Sequence, residues 1–158
     1  MKTLSLYQPW ATLVVIGAKR IETRSWCTDY RGPLLIHASK KFSKADRKLC
    51  ETDIYFKRAL EAYSVDALPL GAIVGKVYLR EIRTTTVMLA SHELSEQEKR
   101  FGNYDYGRWA FLLTGFEEFR EPIPAKGSLG IWKFKESALG HLAEKRSPLY
   151  PDLPNVEL

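Results

Sequence analysis

The chain has 158 residues, enough for one domain and too few for two of ordinary size. It is 45% hydrophobic and 27% charged, which excludes a disordered polar chain, and no apolar run is long enough to span a bilayer. The net charge of +5 is unevenly placed: residues 1–60 hold 12 Lys or Arg against 5 Asp or Glu, and the other 98 hold 12 against 14.

A polyanion-binding face needs positive charge concentrated in this way. The same charge also fits a solvated basic helix around Lys40-Lys41-Phe42-Ser43-Lys44. Gln8 and Pro9 interrupt the first apolar stretch, so the N-terminus lacks a signal-peptide layout and a cytoplasmic, intracellular address is expected. The two cysteines, Cys27 and Cys50, are too few and too far apart for a zinc site and are expected as free thiols. With neither a metal cluster nor a Gly-rich phosphate loop, no cofactor is implied.

In chain order, Lys2 to Leu6 predicts a short strand. Pro9 suits the first turn of a helix, where its missing N–H costs nothing. Trp10, Leu13, Val14 and Gly17 then recur at helical spacing, and Gly17 is a natural stop. Ile21 to Trp26 alternates as a strand, with Ile21, Thr23 and Ser25 on one face and Glu22, Arg24 and Trp26 on the other. Arg31-Gly32-Pro33 reads as a turn, and Leu34 to Ala38 as a buried strand.

Ser43 caps a predicted helix that runs to Tyr63, and Leu68 to Gly71 breaks it. Ala72 to Ile82 is a long strand. Ser95 to Arg100 is a short charged helix, with Glu98 placed to close a capping box on Ser95. Arg108 to Phe116 is another strand, Pro122 to Gly127 a loop, and Leu129 to Phe134 a closing strand. The segment after Ser137 carries Pro148, Pro151 and Pro154 and reads as a loose, partly extended tail. Short strands with two helices in mixed order predict an α+β fold with a barrel-like sheet.

Several separate motifs carry a resemblance. They are Ser5-Leu6-Tyr7-Gln8-Pro9-Trp10-Ala11; Gly17-Ala18-Lys19-Arg20-Ile21-Glu22-Thr23-Arg24; Arg31-Gly32 with Ile36-His37-Ala38; Gly107-Arg108-Trp109-Ala110; and Pro124-Ala125-Lys126-Gly127 with Ile131-Trp132. In this order they resemble the ASCH domain family, whose signature is a QPWA-type helix start followed by G-x-K-x-x-E-x-R. The resemblance implies a PUA-like mixed β-barrel with flanking helices over residues 1–136, leaving 137–158 as the tail. It also implies a cleft that binds RNA or DNA, with single strands favoured, or a nucleotide or modified base. Lys19, Glu22 and Arg24 carry over as cleft residues, and Gln8 and Trp10 with them.

Each of these side chains has a physical role to match. Lys19 is a compact cation for a phosphate, or a lysine that complements a helix C-terminus. Glu22 can accept hydrogen bonds from base amines, or pair with Arg24 on the same strand face. Arg24 suits phosphate through its planar fork, or orients Glu22. Trp26 is the preferred stacking aromatic, worth about 1–3 kcal/mol per stacked base. Trp109 and Trp132 are assigned to the barrel interior. Lys40, Lys41, Lys44 and Lys126 would supply sequence-independent phosphate contacts. Gly127 would let a ligand approach the backbone. His37, at the end of an apolar strand, reads as a satisfied core histidine in preference to a general base.

The resemblance also carries an enzyme alternative, a hydrolase acting on nucleosides or RNA: an N4-acetylcytidine amidohydrolase or a ribonuclease. Lys19, Glu22 and Thr23 would then be catalytic, with Lys19 as nucleophile or base. This chain departs from the amidohydrolase pattern, because Glu22 stands where that motif has threonine and Thr23 falls on the opposite strand face. A protein-interaction module in a larger complex is a third expectation.

Overall fold

The structure is a computed structural model and describes residues 1–135. The expected tail lies outside the described residues. Six strands form one sheet: β1 (Lys2–Leu6), β2 (Ile21–Arg24), β3 (Gly32–Ala38), β4 (Ala72–Thr84), β5 (Trp109–Pro124) and β6 (Ile131–Lys133). Their order is β2-β5-β4-β3-β1-β6, curled into a half-barrel with helices on its flanks. Among the described residues only β1 and β3 are paired in parallel, so the sheet is mixed and the fold α+β, as expected. Three register shifts between β4 and β5 help the sheet curl, because each bulge adds local twist.

The helix α1 (Trp10–Val15) fills the half-barrel. Its Ala11, Val14 and Val15 join Leu4, Leu6, Leu34, Ile36, Val77, Leu79 and Phe111 in the main core. Its opposite side presents Leu13 to a second core with Cys50, Phe56, Leu60 and Phe101. Every residue from Ala11 to Val15 is therefore buried, as in a helix packed all round rather than along one stripe. The fit on β4 is tight: a Cβ on Gly75 would lie 2.2 Å from the Glu117 carbonyl oxygen and 2.7 Å from Val15 Cγ1. Gly17 ends the helix at φ +76°, where a side chain would be strained.

The helical segments differ from the sequence expectation. The predicted helix from Ser43 to Tyr63 is two, α2 (Lys44–Thr52) and α3 (Ile54–Ala59). Asp53 divides them. Its extended backbone ends α2, and its carboxylate caps α3 by accepting from the Tyr55 and Phe56 amides. Asp53 also pairs with Arg100.

A further helix, α4 (Thr85–Ala90), was not foreseen; it is capped by Thr84, and its Met88 packs on Ile21 and Ala110. In α5 (Glu96–Phe101) Ser95 caps the Glu98 amide at 3.1 Å as expected. The capping box is not closed: the Glu98 carboxylate accepts instead from the Arg20 amide, at 2.6 Å. β5 runs on through Pro122-Ile123-Pro124, where a loop was expected, because β4 is long enough to pair with it to the end.

Candidate functional site

Within Gly17 to Arg24 the side chains of Lys19, Glu22 and Arg24 form a polar ladder, buried at Lys19 and Glu22 and half-buried at Arg24. The chain leaves α1 through bonds from the Gly17 amide to the Val14 carbonyl and from the Lys19 amide to the Leu13 carbonyl. α5 grips the same segment from outside: Gln97 donates to the Ala18 carbonyl at 3.0 Å, and Glu98 accepts from the Arg20 amide. Lys19 is thereby turned inward and is 1% exposed. Its ammonium donates to the Ile21 carbonyl and pairs with Glu22 Oε2 at 3.0 Å. The other Glu22 oxygen lies 3.5 Å from Arg24 Nη1.

The strand alternation read from the sequence is present. Glu22 stands opposite Phe111 of the main core, and Thr23 opposite Ala110 of the α4-side core. Thr23 Oγ1 is occupied, accepting from the Asn103 amide at 3.0 Å. On the Glu22 face, Arg24 lies over the Trp26 ring at 5.3 Å, and Trp26 meets Phe111 edge-to-face.

Arg24 is the outlet of this ladder. It reaches a cavity of about 880 Å³ whose other walls are Ser5, Tyr7, His37, Ser39, Lys40, Gly71 and the loop from Pro124 to Leu129, including Lys126. Three cations line it and no carboxylate does. Lys40 and Lys126 are exposed and make no ion pair among the described residues. Tyr7 is 52% exposed, with the Lys41 ammonium 5.8 Å from its ring centroid.

The expected site residues thus fall into four groups. Arg24, Lys40 and Lys126 face the cavity, with Lys41 beside it at Tyr7. Lys19 and Glu22 lie beneath, holding Arg24. Gln8 and Trp10 do not line the cavity. Gln8 is fully buried, donates to the Pro69 carbonyl at 3.0 Å and accepts from the Thr12 amide at 3.1 Å, fastening α1 to the segment ending at Gly71. Trp10 packs edge-on against Phe56 of the helical core. Lys44 is exposed at the start of α2 and does not line the cavity, and neither does Trp26.

The cavity floor holds Ser5, which the sequence did not single out, and His37, which is 2% exposed with a partner at each ring nitrogen, as expected of a satisfied core histidine. The parallel register sets Ser5 beside His37, and Ser5 Oγ lies 3.1 Å from His37 Nδ1. His37 Nε2 is 3.0 Å from the Ala125 carbonyl, and Trp132 Nε1 is 3.1 Å from Ser5 Oγ. A carbonyl can only accept and an indole N–H can only donate. Burial pushes the imidazole below its ordinary pKa, against the opposing bond to Ala125, so the neutral ring predominates at pH 7. The Nε2–H then donates to Ala125, leaving Nδ1 to accept from Ser5.

Trp109 and Trp132, both assigned to the interior, are both half-buried: Trp109 packs on the main core, and Trp132 sits edge-on to His37 at 5.7 Å. Gly127 is tight against the pair: a Cβ there would come within 2.5 Å of His37 Cε1 and 3.0 Å of Ser5 Oγ. Protein side chains, rather than a ligand, demand the glycine at this position.

Among the described residues no three His, Cys, Asp or Glu side chains are grouped to hold a metal, and no helix is long and apolar enough to cross a membrane.

The family model of the ASCH domain matches residues 4–122. Activating signal cointegrator 1 of Homo sapiens is 31% identical over 131 residues, which cover 82% of this chain and 22% of that protein. The Mus musculus counterpart is 30% identical over 132 residues, with the same coverage. The chain therefore spans about a fifth of the length of these relatives. The crystal structure of ASCH from Zymomonas mobilis superposes with a TM-score of 0.55 at 17% identity, covering 90% of this chain and 92% of that one.

Proposed function

The chain belongs to the ASCH domain family, and on that premise we propose that it binds single-stranded RNA or DNA through the cavity at Arg24, Lys40 and Lys126. One observation carries the reading: a cavity large enough for a nucleotide is lined by three cations and no acid, with a tyrosine ring exposed at its wall. Phosphates supply the countercharge that Lys40 and Lys126 lack among the described residues, and bases are planar partners for Tyr7. Lys41 extends the positive surface past Tyr7. Lys19 acts through Glu22 to fix the guanidinium of Arg24, and does not itself touch the nucleic acid.

Hydroxyls of Ser5, Ser39 and Ser128 and backbone groups of the loop are the polar groups available to a base. Glu22 is engaged by two cations, so it is not the base reader. A hydrolase built on Lys19, Glu22 and Thr23 draws no support from this geometry. Lys19 is sealed from solvent, and Thr23 points to the other face.

The test is fluorescence anisotropy with labelled single-stranded RNA and DNA pools. Tyr7→Ala is expected to weaken binding by about 1–3 kcal/mol at any salt concentration, as loss of one stacking contact does. Unchanged affinity in Tyr7→Ala, Lys40→Ala and Lys126→Ala would place the nucleic acid elsewhere and overturn the proposal.

A further inference from the structure

We propose that Ser5 is a nucleophile activated by His37, giving the cavity a hydrolytic activity toward carboxylic esters that carry an anionic group. The anionic part of this substrate class rests on the reading of the cavity as an anion site; the nucleophile does not.

Four observations meet at Ser5. Its hydroxyl lies 3.1 Å from a ring nitrogen that the hydrogen-bond pattern leaves as an acceptor. The opposite ring nitrogen is anchored on the Ala125 carbonyl, which fixes the tautomer and would stabilise the imidazolium once it forms. Trp132 Nε1–H occupies one lone pair of Ser5 Oγ, the O–H points to His37, and the second lone pair is left for attack. Both residues stand on paired strands and line the cavity; His37 is 2% exposed and Ser5 half-buried, so the pair is rigidly held and Ser5 is the member a ligand reaches. A base, its orienting group and a hydroxyl within hydrogen-bond reach are what an activated serine requires.

The reaction balances with water as the only co-reactant. Ser5 Oγ adds to the ester carbonyl carbon as its proton passes to His37 Nδ1. The tetrahedral oxyanion collapses, the bond to the leaving alkoxide breaks, and His37 returns the proton to that oxygen. Water then adds to the acyl-Ser5 carbonyl while His37 takes a proton. The acyl–Oγ bond breaks, Oγ recovers the proton, and a carboxylic acid is released. Arg24, Lys40 and Lys126 hold the anionic group of the substrate.

A fluorophosphonate probe and p-nitrophenyl acetate test the nucleophile without any nucleic acid. The full chain is expected to take up one probe, mapped by peptide mass spectrometry to Ser5, and to release p-nitrophenol. Ser5→Ala should lose both, and His37→Gln should slow both by about 10²–10⁴-fold. Absence of label at Ser5, or hydrolysis that survives Ser5→Ala, overturns the proposal whether or not the His37 variant folds. Anisotropy on the same samples separates the two readings. Nucleic-acid binding with Ser5 unlabelled overturns this inference alone; a labelled Ser5 without binding overturns the binding proposal alone.

Discussion

Replacing Lys19 by Met removes the ammonium and keeps most of the buried stem. The Glu22 carboxylate, 9% exposed, then loses its 3.0 Å partner and keeps only Arg24 at 3.5 Å, while the Ile21 carbonyl loses a donor. Removing one member of a buried ion pair costs about 3–5 kcal/mol, because the remaining charge stays desolvated. Arg24 survives as a partner and is 25% exposed, so the expected loss is smaller, about 2–4 kcal/mol. Urea unfolding read by circular dichroism should show a lower midpoint at unchanged slope. Lys19→Met/Glu22→Gln should recover part of the loss, because the unpaired carboxylate is gone. Lys40→Ala and Lys126→Ala, at exposed positions, should stay within about 0.5 kcal/mol of the parent. A Lys19→Met protein as stable as the parent would refute the ladder that holds Arg24.

The two cysteines should differ in reactivity. Cys27 is exposed, and Cys50 is buried with its thiol pushed up to about 11 by desolvation, so iodoacetamide at pH 8 should add one group to the native protein and two after unfolding. Two adducts without denaturant would contradict the packing of α2. Glu98 is held above the usual carboxylate range by burial, against the Arg20 amide and Lys19. A raised folded-state pKa gives stability that is present below the ordinary carboxylate pKa and fades as pH rises through the raised value. Glu98→Gln, whose amide oxygen can still accept from Arg20, should flatten that part of a stability-against-pH curve; an unaltered curve would remove Glu98 from the account.

How far the sequence could be read depended on the range of the interactions involved. Local chemistry was legible: Gly17 as a stop, Ser43 and Ser95 as caps, and the alternation that parts Glu22 from Thr23. Motif order led to the family and hence to the half-barrel. Asp53 was read within a continuous helix because its capping of α3 depends on an extended backbone, and the pair with Arg100 comes from 47 residues along the chain. Glu98 looked like a capping-box residue because its spacing from Ser95 is right; its partner, the Arg20 amide, is 78 residues away. Lys19 carried no sign that it would be buried, since only Glu22 and the grip of α5 make burial tolerable. Ser5 and His37 meet at the cavity through the parallel register of β1 and β3, which no local pattern encodes.

Arg24, Lys40 and Lys126 together make up the proposed phosphate-binding surface. The direct measurement is the affinity for a single-stranded oligonucleotide across a salt series. Each phosphate contact on a single strand contributes about 0.7 to the slope of log affinity against log salt. The Lys40→Ala/Lys126→Ala double variant should therefore bind more weakly, with a slope shallower by about 1.4. Binding with a slope identical to that of the parent would contradict the account.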